Sequence, residues 1–250
     1  MQQEVIIVGG GMVGLSLALM LAKQNIAVKL LEAIKYPNYD DVNLAPYHSS
    51  FDARNSALSR RTVQIYQELG LWSALQEHAT PIFEVNITEQ GSFGKARLKA
   101  EQEKVESFGQ VIENAWLGRV LLTEVQKQPF IELIDGVQVT QLTQDADMAY
   151  IKASRGEEQL SLQAKLVIAA DGRDSFCRKA LGIGASEHDY DQVAIVTTVQ
   201  TSKPHNHVGF ERFSSLGPLA LLPLPGEYRR SVVWPVKKGT EGEWLGDEND

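Results

Sequence analysis

EVIIVGGGMVGLSLALMLAK, residues 4–23, stands at the start of the chain. The apolar run Glu4 to Val8 predicts a buried strand, Gly9 to Gly14 predicts a tight turn, and Leu15 to Lys23 predicts a helix. Ala27 to Leu31 predicts a second strand. A strand, a glycine turn, a helix and a second strand open the α/β folds that bind dinucleotides, so the sequence predicts a Rossmann-like domain.

The glycines Gly9, Gly11 and Gly14 have the spacing G-x-G-x-x-G. The first permits the turn, the second lets the backbone approach a pyrophosphate, and the third lets the helix pack on the strand. Glu32 lies 18 positions after Gly14, at the end of the second strand, where a carboxylate can accept both hydroxyls of an adenosine ribose. The alternative is a glycine-rich turn with an incidental surface glutamate.

Composition excludes several classes of function. The net charge of -8 and the lack of a basic stripe argue against a nucleic-acid partner. A single cysteine, Cys177, excludes an internal disulfide and a paired-thiol redox motif, and it suits a cytoplasmic location. The N-terminus lacks the pattern of a signal peptide, and the apolar run Leu15 to Ala22 is too short to cross a bilayer.

The rest of the chain predicts alternating helices, strands and turns. Lys35 to Ser50 predicts a loop, and helices are expected at Ser59 to Leu69, Leu71 to His78 and Leu117 to Lys127. Strands are expected at Pro81 to Thr88, Ala96 to Leu98, Val137 to Leu142, Met148 to Ala153, Gln159 to Leu162, Lys165 to Ala170, Gln192 to Gln200, Leu219 to Leu222 and Ser231 to Val236. The charged stretch Lys99 to Glu106 is expected to lead back to a helix, and Glu241 to Asp250 to be a solvated loop.

A second motif, LVIAADGRDSFCR, covers residues 166–178. It predicts an apolar strand that ends in Asp171 and Gly172 and is followed by a helix start. A strand, an Asp-Gly turn and a helix N-cap at Asp174 or Ser175 explain these residues without any cofactor. A cofactor-binding turn explains them equally well.

These motifs resemble those of a known family. The glycine pattern extends to Ala18 and Leu21, which matches the longer FAD fingerprint of the glutathione-reductase-like superfamily. Asp171, Gly172, Ser175 and Arg178 resemble the Asp-Gly motif of para-hydroxybenzoate-hydroxylase-like flavin monooxygenases. The chain therefore resembles the FAD-dependent aromatic hydroxylases of ubiquinone biosynthesis, and FAD is preferred to NAD as the cofactor.

The resemblance implies further site residues. Asp171 and Gly172 are expected near the FAD pyrophosphate and to serve in NAD(P)H use. Arg54, within the segment Asp52 to Leu58, matches an arginine that approaches the flavin, and Arg119 matches another position beside FAD. Both could instead be surface arginines. Segments Phe210 to Phe213 and Gly217 to Pro223 resemble a substrate-domain strand of the 2-octaprenyl-6-methoxyphenol hydroxylase group.

The resemblance also implies the architecture. It is a three-layer, glutathione-reductase-like FAD-binding domain interleaved with an α+β substrate domain on a mostly antiparallel sheet. The FAD-binding domain is expected at residues 1–76 and 107–184, and the substrate domain at residues 77–106 and 185–250. No second glycine fingerprint follows a strand in the sequence, so NAD(P)H is expected to bind only transiently, as a reductant.

The implied activity is hydroxylation of the phenolic ring of a polyprenylated ubiquinone precursor with O₂ and NAD(P)H, through a flavin C4a-hydroperoxide. A catalytic base is not assigned. Two alternatives stay open: another FAD oxidoreductase, such as an oxidase or dehydrogenase, and an inactive FAD-binding fragment. The relatives return to the FAD domain with a Gly-Asp motif, which Gly246 and Asp247 do not match. A C-terminally truncated chain without hydroxylase activity of its own is therefore expected.

Other chemistry is not expected. His205 and His207 could share a strand face as metal ligands, but the sequence offers no third ligand and Pro204 favours a loop, so no metal site is predicted. Cys177 has no partner base and is expected to pack. The expected partners are the polyprenyl phenol and O₂. Peripheral membrane contact, other ubiquinone-pathway enzymes and a homo-oligomer stay open.

Overall fold

The computed structural model describes residues 5–36 and 52–245. Its strands are β1 (Val5–Val8), β2 (Val28–Leu31), β3 (Asn55–Ser59), β4 (Ala79–Pro81), β5 (Glu84–Glu89), β6 (Lys95–Lys99), β7 (Gly109–Glu113), β8 (Ile131–Ile134), β9 (Gln138–Gln144), β10 (Ala149–Arg155), β11 (Glu158–Ala164), β12 (Leu166–Ala169), β13 (Gln192–Gln200), β14 (Val208–Phe213), β15 (Leu219–Pro223) and β16 (Arg229–Lys237). Its helices are α1 (Met12–Lys23), α2 (Arg60–Glu68), α3 (Trp72–Leu75), α4 (Asn114–Lys127), α5 (Phe176–Ala180) and α6 (Gly242–Leu245), with a 3-10 turn at Gln76–His78.

The chain divides into two compact units, each made of two stretches of sequence. Unit 1 comprises Met1–Ala53 and Asn114–Ser186, and unit 2 comprises Arg54–Glu113 and Glu187–Asp250. The first crossing lies at residue 54, whereas the sequence places a domain crossing at residue 77. The reason is that β3 pairs antiparallel with β7, which brings residues 55–59 into unit 2. Which ligand each domain binds stays a prediction.

Unit 1 is built on a parallel sheet with the strand order β12-β1-β2-β8. All four residues of β1 are buried, and Val5 lies between Leu166 and Val28 of its two neighbours. Such continuous apolar strands are typical of a sheet that is covered on both faces. The helices α1 and α4 pack against each other and against this sheet.

The antiparallel sheet β11-β10-β9 supplies the third layer of unit 1. Because side chains alternate along a strand, Ile6 and Val8 point away from Val5 and Ile7. Ile6 and Val8 share one hydrophobic cluster with the meander residue Ile151. The three-layer α/β fold and the antiparallel meander that the sequence predicts are thus confirmed.

Unit 2 contains a six-stranded sheet, β13-β16-β15-β14-β5-β6, and a three-stranded sheet, β3-β7-β4. Only the β14–β5 pair is parallel within the described six-stranded sheet, so the expected mostly antiparallel sheet is confirmed. Helix α2 starts after Ser59, whose Oγ accepts a hydrogen bond from Thr62 N at 3.2 Å. It ends before Gly70, whose φ of 77° is the left-handed conformation that stops a helix.

Several local predictions were wrong. The strand expected at Pro81 to Thr88 is two strands, β4 and β5, in different sheets, because Ile82 N bonds Gly109 O while Phe83 N bonds His207 O. The helix expected at Leu71 to His78 is shorter and ends in a 3-10 turn. The sequence did not predict strands β3, β7 and β8.

Most of the loop expected at Lys35 to Ser50 lies outside the described residues, as do Gly246 and Asp247. The segment expected as a solvated loop from Glu241 includes the short helix α6. Among the helices in residues 5–36 and 52–245, none is both long and apolar enough to cross a membrane.

Candidate functional site

Unit 1 contains a cavity of about 430 Å³ at the carboxyl ends of its parallel strands. β1 ends directly before Gly9, β2 before Glu32, and β12 shortly before Asp171. These residues, together with Gly11 and Gly172, line the cavity. The chain runs from β1 through α1 to β2, which pairs with one edge of β1, whereas β12 pairs with the other edge. The cavity therefore lies where the strand order reverses. That position is where open α/β sheets bind ligands.

Two of the fingerprint glycines, Gly9 and Gly14, are required by close backbone contacts. Gly9 has a φ of 107°, and a Cβ there would collide with the carbonyl of Ala170. A Cβ on Gly14 would collide with the carbonyl oxygen of Gly9, so helix α1 can approach the turn only without a side chain. Gly11 has extended backbone at the N-cap of α1. The loop therefore presents bare backbone to the cavity.

The N-terminus of α1 is free to bind an anion. Among the residues that the structure describes, no side chain caps α1, and the first turn of the helix carries no acidic residue. The first N–H groups of a helix lack partners within the helix, and its dipole favours negative charge at that end. Ligand phosphates are bound at such helix starts in dinucleotide-binding folds.

Glu32 is buried, with 7% of its surface exposed, and already holds two backbone groups. Its Oε2 accepts a hydrogen bond from Gly10 N at 2.6 Å, and its Oε1 accepts one from Ile34 N at 2.8 Å. Each carboxylate oxygen can accept a second bond. The carboxylate therefore supports the glycine loop, and Glu32 also lines the cavity.

Asp171 caps the short helix α5. Its Oδ1 accepts from Ser175 Oγ at 2.5 Å and its Oδ2 from Cys177 N at 3.0 Å. Burial raises the pKa of Asp171, but these hydrogen bonds outweigh it, so the pKa lies below its ordinary value. Ser175 Oγ in turn accepts from Arg178 N, which confirms Ser175 as the N-cap. The Asp-Gly motif thus has a structural task in addition to its place at the cavity.

A family model described as an FAD binding domain matches residues 2–249. The chain belongs to the FAD-binding-domain family. The ubiquinone hydroxylase UbiL of Rhodospirillum rubrum is 33% identical to it over 231 residues, which cover 92% of this chain and 51% of that protein. The 3-demethoxyubiquinol 3-hydroxylase of Escherichia coli is 31% identical, over 92% of this chain and 56% of that protein. This FAD-binding-domain chain therefore spans about half the length of the curated relatives it matches.

A solved structure supports the same fold. The p-nitrophenol 4-monooxygenase PnpA from Pseudomonas putida has a TM-score of 0.77 to the chain, at 20% identity, over 95% of this chain and 58% of that one. At that identity the similarity shows the fold alone. It agrees with the α/β architecture typical of this family.

Two arginines that the family resemblance implied are not among the residues that line the unit 1 cavity. Arg119, on α4, does not line the cavity, and its guanidinium lies 5.4 Å from the ring centre of Trp116. Arg54 is exposed in the segment before β3 and belongs to unit 2. Their approach to FAD stays a prediction.

The sequence did not point to several lining residues. Arg173 and Asp174, of opposite charge, line the cavity, and the Arg173 carbonyl accepts from Arg178 Nη1 at 2.7 Å. A basic residue inside the Asp-Gly motif was a usable signal. Ala33, Val137 and Val139 also line the cavity, but small apolar residues carry no signal of their own.

The remaining reactive side chains are structural. Burial and the nearby charge of Asp171 raise the pKa of the Cys177 thiol to about 12, so it is no nucleophile at neutral pH. His205 and His207 lie in the loop before β14, as Pro204 predicted. Within the described ranges, no group of three His, Cys, Asp or Glu side chains could hold a metal ion.

Proposed function

We propose that the unit 1 cavity holds the adenosine-diphosphate half of FAD. The convergence of Gly9, Gly11, Glu32 and Asp171 on one cavity of about 430 Å³ carries this proposal. Cavities of about 300 to 1,000 Å³ are usual for small-molecule ligands. Backbone without side chains, a free helix start and a carboxylate at the end of β2 are the three features that a dinucleotide requires.

Each feature has its own task. The backbone at Gly9 and Gly11 and the start of α1 would hold the pyrophosphate. Glu32 would accept the ribose hydroxyls, and its negative charge disfavours a ribose with a 2′-phosphate. When bound, FAD supplies the oxygen and electron-transfer chemistry that amino-acid side chains lack.

We further propose that the whole protein is an FAD-dependent monooxygenase of ubiquinone biosynthesis. The similarity to a ubiquinone hydroxylase and to a 3-demethoxyubiquinol 3-hydroxylase supports this. The reaction would consume a phenol, O₂, NAD(P)H and a proton and would yield the hydroxylated phenol, NAD(P)⁺ and water. We place the polyprenyl substrate in unit 2, where half-buried apolar residues of β15 offer an apolar surface. Because the polyprenyl tail of the substrate dissolves in the membrane, we expect the protein to act in the cytoplasm, at the membrane surface.

Oxygen uptake tests the activity. The whole protein is loaded with FAD and supplied with NADH or NADPH, with and without a prenylated phenol. Phenol-dependent uptake with a hydroxylated ring as product is expected. Uptake that does not need the phenol and yields hydrogen peroxide would indicate an oxidase instead. Flavin that neither binds nor is reduced would refute the proposed function.

A further inference from the structure

Gly10, an unrestricted position of the glycine fingerprint, is held by two side chains. Its N–H donates to Glu32 Oε2 at 2.6 Å, and its carbonyl accepts from the Tyr36 hydroxyl at 2.5 Å. Tyr36 and Glu32 are 6% and 7% exposed. The N–H and the carbonyl of Gly10 thus each have a buried partner, and both partners follow β2 in the chain. We call this arrangement the Gly10 clamp.

The clamp leaves no room for a side chain at residue 10. A Cβ there would collide with the Tyr36 hydroxyl and would lie 3.0 Å from Glu32 Cβ and 3.1 Å from Glu32 Oε2. The φ of Gly10 is not in the left-handed region, so the backbone itself would accept an L residue. The fingerprint requires glycine only at 9, 11 and 14. Tyr36 and Glu32 together therefore account for a glycine at position 10, and the Tyr36 hydroxyl makes the closest contact.

Tyr36 is itself anchored. Its N–H donates to Asp135 Oδ2 at 2.8 Å. The backbone of Glu32 bonds to the same region, because Glu32 N donates to Ile134 O and Val137 N donates to Glu32 O, both at 2.9 Å. The end of β8 and the residues after it thus hold the backbone of both clamp residues.

We propose that Tyr36 is a positioning residue for the nucleotide site, acting through its hydrogen bond to Gly10. With Glu32, it fixes the Gly9–Gly11 loop in its binding shape before a ligand arrives. A preformed loop does not have to be ordered on binding, which strengthens the affinity. This inference rests on the proposed binding of FAD.

Tyr36→Phe removes the hydroxyl and keeps the ring. We expect the dissociation constant for FAD to rise roughly three- to tenfold. The reason is that the loss of one hydrogen bond lowers the fraction of molecules whose Gly9–Gly11 loop has the binding shape. Tyr150→Phe is the matched control, because its hydroxyl donates to Asp145 Oδ2 at 2.8 Å and Tyr150 does not line the cavity. The control should leave the affinity for FAD unchanged.

The steric part of the clamp is tested by a rescue. Gly10→Ala should weaken FAD binding at least about tenfold, because the Cβ must displace the Tyr36 hydroxyl. Combining it with Tyr36→Phe removes the colliding oxygen and should restore part of the affinity. Gly184→Ala is the control, since its Cβ would enter open space.

Melting temperatures without FAD complete the test. If Tyr36→Phe lowers the melting temperature but leaves FAD affinity unchanged, Tyr36 is merely structural and the inference is overturned. A double variant that is no better than Gly10→Ala also overturns it. If the wild-type chain does not bind FAD, the proposed function fails, and the ligand-free melting temperatures still decide the clamp. In the ligand-free chain, a double variant that melts at a higher temperature than Gly10→Ala supports the clamp. A double variant that melts no higher refutes it.

Discussion

Glu32→Ala should damage both stability and cofactor binding. Glu32 Oε2 and Oε1 accept from Gly10 N and Ile34 N at 2.6 and 2.8 Å, and the residue is 7% exposed. A hydrogen bond to a charged group contributes about 1.5 to 3 kcal/mol. Water can enter the truncated site from the adjoining cavity and satisfy part of the loss, so we expect the free energy of unfolding to fall by about 2 kcal/mol.

The loss of the ribose contact adds to this in the bound state. Losing a charge-assisted pair of hydrogen bonds weakens FAD by about 1.5 to 3 kcal/mol, or roughly 10- to 150-fold in dissociation constant. Glu32→Gln should lie between the wild type and Glu32→Ala, because the amide keeps one acceptor but turns a donor toward a backbone N–H.

Two assays measure these effects: urea unfolding of the ligand-free chain and titration with FAD. Glu68→Ala is the control, since its side chain is 61% exposed and its ion-pair partner Arg61, at 3.4 Å, is 67% exposed. Such pairs contribute about 0 to 1 kcal/mol. If Glu32→Ala unfolds like the control and binds FAD like the wild type, both tasks assigned to Glu32 are refuted.

Three further predictions concern other parts of the two units. Gly14→Ala should lower the free energy of unfolding by about 1 to 3 kcal/mol in urea titrations, because its Cβ would strike the Gly9 carbonyl; unchanged stability would contradict the close approach. Asp171 has a lowered pKa, so its contribution is present above its ordinary pKa of 3.8 and is lost as pH falls through its folded value. Asp171→Asn should flatten that acid loss in melting curves, and an unaltered profile would refute the cap. His205 is buried, with Nε2 shared by two carbonyls at 3.1 Å and a lowered pKa caused chiefly by burial. Stability should therefore be fully present above pH 6.5 and fall below it, and His205→Asn should remove this dependence.

The grouping of the proposed nucleotide-binding residues around one cavity was predictable from the sequence. The Gly9, Gly11 and Gly14 spacing, Glu32 and the Asp171 turn are each tied to a strand end, and strand ends of a parallel sheet meet at one edge. Their convergence on one cavity follows from the strand order alone.

The features that could not be predicted from the sequence depend on residues that are distant in the chain. Residues 55–59, NSALS, have no apolar period, and they form β3 only because β7 offers its edge. The segment from Pro81 to Thr88 has no Gly or Pro after Pro81, yet the backbone N–H groups of Ile82 and Phe83 bond to residues beside different strands, and the segment is divided between two sheets. Tyr36 follows Glu32 in an irregular segment, so its contact with Gly10 appears only after folding.

A competition titration tests the central claim, that unit 1 holds the adenosine-diphosphate half of FAD. The purified, flavin-free chain is titrated with FAD in the presence of ADP or of FMN. Because the glycine loop, the start of α1 and Glu32 all serve the ADP half, ADP should displace FAD competitively and FMN should not. FAD binding that FMN displaces and ADP leaves unaffected would contradict the account.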